Sequence, residues 1–139
     1  MLAVGYTSDG KRIEFDCSDG YLCCWDDDLV SLEVPEEIEE IYCHTNKLTK
    51  LIIPEGVINV SCYNNQITEL KLPNSVTYVY CSNNKLTELI IPEGIKEIYC
   101  QNNKLTELIL PESIKKLCCD KEVSGLEYLI GEDIKFILW

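Results

Sequence analysis

The chain has 139 residues, 46% of them hydrophobic and 26% charged, which suits one globular unit and is too short for two ordinary domains. Its 24 acidic side chains against 12 basic ones leave a formal charge of −12, a field that repels phosphate backbones and anionic lipid surfaces. No apolar run approaches the roughly 20 residues that span a bilayer, and the first residues lack the basic start and long apolar core of a secretory signal, so a cytosolic chain is expected.

At the N-terminus, residues 2–7 and 11–16 read as two strands around the turn Ser8-Asp9-Gly10. Residues 1–18 are therefore expected to form a hairpin cap. Beyond them the cysteines set the pattern. There are 9, an odd number with no Cys-x-x-Cys pair, which speaks against a disulfide framework. Cys24, Cys43, Cys62, Cys81, Cys100 and Cys119 follow one another every 19 residues. Aligned at that period, six units begin at Asp19, Ile38, Val57, Val76, Ile95 and Ile114 and fill residues 19–132.

The best-matched unit, residues 95–113, reads IKEIYCQNNKLTELILPES. Apolar residues hold positions 1, 4, 6, 11, 14 and 16 of the second to fifth units. Asn46, Asn65, Asn84 and Asn103 hold position 9, and Pro35, Pro54, Pro73, Pro92 and Pro111 hold position 17. Around position 5 polarity alternates with a period of two, as on a strand, and one such strand buries its apolar side only by stacking on parallel copies. In the sixth unit Glu122 replaces the asparagine, Val123 replaces the leucine and Gly125 enters the turn region. Residues 133–139 then form an apolar last strand ending at Trp139, expected to cap the stack or to meet another molecule.

The pattern LxxLxLxxNxLxxL, with cysteine at the third apolar position, resembles that of leucine-rich repeats over residues 19–139. The short period and trailing proline look like the repeats of bacterial secreted effectors. The YC-x-NN-x-LT form is similar to cysteine-bearing repeats of large amoebal viruses and some bacteria. The resemblance implies a β-rich solenoid: a right-handed arc with a parallel concave sheet, in which the position-9 asparagines bond neighbouring backbone groups as a ladder. Nineteen residues leave no room for a long outer helix, so the convex side is expected to be extended or short 3₁₀, helped by proline.

The six in-register cysteines point into the core as small hydrophobes, reduced and unligated, since no histidine accompanies them there. Cys17, Cys23 and Cys118 fall elsewhere and are candidates for accessible thiols. His44 is the only histidine. With Cys23 one strand away it forms the one conceivable nucleophile pair, but no third orienting group stands beside it, and no catalytic residue is assigned. Asp26, Asp27 and Asp28, with Glu33, Glu36 and Glu37, make the first unit acidic. They lack the alternating spacing of a calcium loop, and with Asp27 where later units place asparagine, one of these carboxylates is expected to take the ladder role. No metal or cofactor is expected. The residues after each proline read as turn formers on the outer bend.

The outward strand positions carry aromatics. Tyr21 and Tyr78 stand at position 3, Tyr42, Tyr80 and Tyr99 at position 5, and Trp25, His44 and Tyr63 at position 7. Such side chains stabilise sheets across strands, and they also anchor protein interfaces. The resemblance and this stripe together imply a non-catalytic module that binds a partner protein on the concave face. Two other readings stand beside it: self-association, perhaps a homodimer, through the apolar C-terminal edge, and a thiol enzyme or sensor.

Overall fold

Every nineteenth residue from Tyr21 to Lys135 opens a short strand. The strands are β1 (Leu2–Thr7), β2 (Arg12–Asp16), β3 (Tyr21–Cys23), β4 (Leu29–Glu33), β5 (Glu40–Tyr42), β6 (Asn59–Ser61), β7 (Tyr78–Tyr80), β8 (Glu97–Tyr99), β9 (Lys116–Cys119) and β10 (Lys135–Leu138). The structure, a computed structural model, describes residues 1–126 and 135–138, and among these there is no helix. Trp139 lies outside the described residues.

Seven strands form a parallel sheet in the order β10-β9-β8-β7-β6-β5-β3, and three form an antiparallel sheet in the order β2-β1-β4. The chain is a β-solenoid of stacked 19-residue turns. The register is strict: Leu22, Ile41, Val60, Val79, Ile98 and Leu117 pair in sequence along the sheet, and all are buried. Behind them run the six cysteines of position 6, also buried and free of disulfides. Positions 1, 11 and 14 close the core with residues such as Ile38, Leu48 and Leu51. Each turn alone has no second apolar layer, so burial comes from its neighbours above and below.

The outer side takes the extended one of its two expected forms. No 3₁₀ segment appears among the described residues, and beyond β4 the outer segments are extended chain between tight turns. The turns follow proline, as where the N–H of Val57 donates to the carbonyl of Pro54 at 3.4 Å and that of Val76 to Pro73 at 3.2 Å. A four-residue turn reverses the chain in fewer residues than a 3₁₀ run. Ser75 and Ser113 are also more than turn formers. Ser75 Oγ accepts the N–H of Gly56 at 3.1 Å and donates to the carbonyl of Val57 at 2.7 Å, and Ser113 does the same for Gly94 and Ile95.

The N-terminal hairpin forms with β1 and β2 in antiparallel register from Leu2 against Asp16. The sequence reading missed its third partner. The outer half of the first repeat becomes β4 and pairs antiparallel with β1. Gly5 sits where this joint is tightest: a Cβ there would meet Leu29 Cδ2 at 2.8 Å.

Candidate functional site

Side chains on the parallel sheet alternate between core and solvent, so positions 3, 5 and 7 of successive turns form three rows on one face. Parallel in-register pairing then places equivalent residues one strand spacing apart, about 4.8 Å. In the position-7 row this stacks Trp25, His44 and Tyr63. The Trp25 and His44 ring centres are 5.7 Å apart and those of His44 and Tyr63 4.3 Å, both pairs within 6° of parallel. In the position-5 row Tyr80 and Tyr99 stack at 5.0 Å, with the Lys116 ammonium 5.0 Å from the Tyr99 ring centre. Tyr42 donates its hydroxyl to the Glu40 carboxylate. Tyr21 and Trp25 are exposed at the β3 end, and Tyr42, His44, Tyr63, Tyr78, Tyr80 and Tyr99 are half-buried.

The electrostatics follow from these contacts. The bond to Glu40 pushes the Tyr42 hydroxyl up to about 12, helped by partial burial and the Glu40 charge. Burial, then Glu97, raises Tyr80. Burial between two rings lowers His44, opposed by Asp26.

The candidate thiols separate sharply. Cys23 is exposed, whereas Cys17 and Cys118 are buried, against expectation. Cys17 lies under the hairpin, where its N–H and Sγ both donate to the Met1 carbonyl at 3.0 and 3.5 Å. Cys118 is on the solvent side, but Tyr99 and Ile137 flank it in register on β8 and β10 and cover the small side chain. His44 finds its partners in Trp25, Tyr63 and Thr45 Oγ1, 3.3 Å from Nδ1. Among the described residues no group of three or more His, Cys, Asp or Glu is gathered to hold a metal ion.

The asparagine ladder is present and stands beneath this face. Asn65 Oδ1 accepts the Leu48 N–H at 2.9 Å, while its Nδ2 donates to the carbonyls of Cys43 and Cys62 at 3.0 and 3.1 Å. Asn46, Asn84 and Asn103 repeat the arrangement. The carboxylate expected in the ladder is not found there: at Asp27 it is the backbone N–H that donates to Asn46 Oδ1, at 3.1 Å.

Three features escaped the sequence reading. Position 8, not only position 9, makes the turn, with Asp26, Thr45, Asn64, Asn83 and Asn102 all left-handed at φ of 53 to 63°. The doubled Asn-Asn was the signal, since asparagine tolerates that region. A second, exposed amide ladder runs from Asn102 to Asn83 to Asn64 at 2.7 Å per step. On the opposite side of the solenoid, Ile52, Ile90 and Ile109 at position 15 are 67 to 81% exposed, each between two inward residues. No helix among the described residues is long and apolar enough to cross a membrane. No protein-family model matches the chain, and no curated protein matches it.

Proposed function

We propose that this chain is a leucine-rich-repeat module that works without catalysis, binding a partner protein through the solvent face of its parallel sheet. One observation carries the reading. Trp25, His44 and Tyr63, and separately Tyr80 and Tyr99, are already stacked against one another on that face. Aromatic side chains held in one arrangement lose little entropy on binding, and each offers a large amphipathic surface. The same stacking stabilises the sheet, so the two roles coexist. Nine free cysteines suit a reducing compartment such as the cytoplasm.

The test is affinity capture from lysate of the source cells with the native chain and with a Tyr42, Tyr80 and Tyr99 to Ala variant, both shown folded by circular dichroism. A protein held by the native chain and lost by the variant supports the reading. Identical capture by both forms, or none by either, sinks it.

The free edge of β10 favours a second reading, self-association. Among the described residues that strand pairs only with β9, and its Ile137 and Leu138 are exposed. A mass that rises with concentration, and falls to one chain in Ile137→Lys, supports it. A single-chain mass at every concentration ends it.

A further inference from the structure

The position-5 row is interrupted. It runs Tyr42, Ser61, Tyr80, Tyr99 on β5 to β8, so the third turn contributes a hydroxymethyl where its neighbours contribute rings. The gap is a depression of about 500 Å³ with Ser61 and Asn59 in its floor. Tyr42 and Tyr80 stand on its two sides, and Tyr63 and Tyr78 close its ends. At about 4.8 Å per strand, Tyr42 and Tyr80 lie about 9.6 Å apart, which leaves space for one planar group stacked between them.

Charge selects what that group is. Asn59 lies between Glu40 and Tyr78 in the position-3 row, and Glu97 follows Tyr78, so carboxylates stand on both sides of the gap. The chain as a whole carries −12. The Asn59 side chain donates to the Tyr42 hydroxyl, and its Oδ1 is shielded from solvent, so it fixes the floor of the gap and takes no part in binding. A flat, cationic group meets both conditions: it stacks on tyrosine faces and offsets the carboxylates.

We infer that the vacant rung at Ser61 is a binding slot for an arginine side chain of the partner, its guanidinium intercalated between Tyr42 and Tyr80. The slot deepens the protein-binding reading above and rests on it. Lysine and a trimethylated ammonium both lack the planar shape that fits between two rings.

The experiment is an NMR titration of the intact chain with Nα-acetyl-arginine methylamide, following the Asn59 side-chain amide and the Ser61 backbone amide. The matching citrulline derivative serves as a neutral isostere, and the trimethyl-lysine derivative as a methylated cation. Saturable shifts with arginine, and binding about fivefold or more weaker with citrulline, support the slot. Ser61→Tyr restores the residue type found at this position in three other turns, so it keeps the fold, and it must abolish the shifts. Equal binding of citrulline, tighter binding of trimethyl-lysine, shifts that persist in Ser61→Tyr, or no shifts at all would overturn the proposal. If Ser61→Tyr still captures a partner that the triple alanine variant loses, the slot is wrong and the interface stands. If the triple variant also keeps the partner, the interface itself is wrong.

Discussion

Asp120 accepts the backbone N–H of Asn102 through Oδ1 at 2.9 Å and that of Asn103 through Oδ2 at 3.3 Å. In earlier turns those two positions donate to backbone carbonyls of the next turn, as Asn64 does to Ser82 and Asn65 to Asn83. The sixth turn leaves the regular path here. Its Val123 reaches the core one residue early, and at Gly125 a Cβ would lie 2.3 Å from the Leu108 carbonyl oxygen. One carboxylate thus replaces two carbonyls. Asp120→Ala is expected to destabilise the end of the solenoid by about 1–2 kcal/mol, and to speed amide exchange at Asn102 and Asn103. Unchanged exchange at both amides would show that the carboxylate is dispensable.

The inner asparagine ladder should cost more to break. Asn65→Ala leaves the Leu48 N–H without its acceptor and removes one donor from each of the Cys43 and Cys62 carbonyls. Those carbonyls keep Asn46 and Asn84 respectively. A loss of about 2–3 kcal/mol is expected from urea unfolding, mostly the desolvation of one buried donor. A change below about 0.5 kcal/mol would remove the ladder from the list of what holds the turns together.

Thr45 is the one β-branched residue in the left-handed row, at φ 58°. Thr45→Asn should stabilise the chain by about 0.5–1 kcal/mol, since the new residue tolerates that conformation and stands next to Asn64 in the exposed amide ladder. Thermal unfolding checks it: a melting temperature that fails to rise contradicts strain at this position.

Cysteine reactivity divides the chain. Of the nine thiols only Cys23 is exposed, so a thiol reagent at neutral pH should label one equivalent quickly and the rest only in denaturant. Cys23→Ser should abolish the fast phase. Two fast equivalents would mean that Cys17 or Cys118 opens readily.

Alkaline pH should unfold the protein through its core. Burial pushes Cys24 and Cys62 up to about 12 and holds Cys43 and Cys81 well above the usual value near 9. A folded value above the unfolded one means that these thiols stabilise fully below pH 9. Above it the unfolded chain releases protons that the folded chain keeps, and stability falls by about 1.4 kcal/mol per pH unit for each such thiol. The urea midpoint should drop steeply from pH 9 to 10.5 under reducing conditions, and less steeply in Cys62→Ala. Equal slopes in the two proteins would rule out this source.

The sequence by itself determined the period, the strand positions and which side of each strand meets solvent. It could do so because stacking repeats one small chemical pattern, and polarity written every 19 residues records both the turn and its inner face. The cysteine rungs and the asparagine ladder follow from that rule. Other features depend on residues distant in sequence or on breaks in the period, and only the tertiary structure decided them. Cys118 is buried because Tyr99 and Ile137 stand in register on either side of it. Cys17 is buried because β2 ends beneath Met1, and β4 exists because β1 offers it a free edge. The vacancy at Ser61 is visible as a letter in the sequence, but it becomes a slot only when Tyr42 and Tyr80 are set one rung to either side. A repeat fixes what recurs; contacts between unlike neighbours fix what does not.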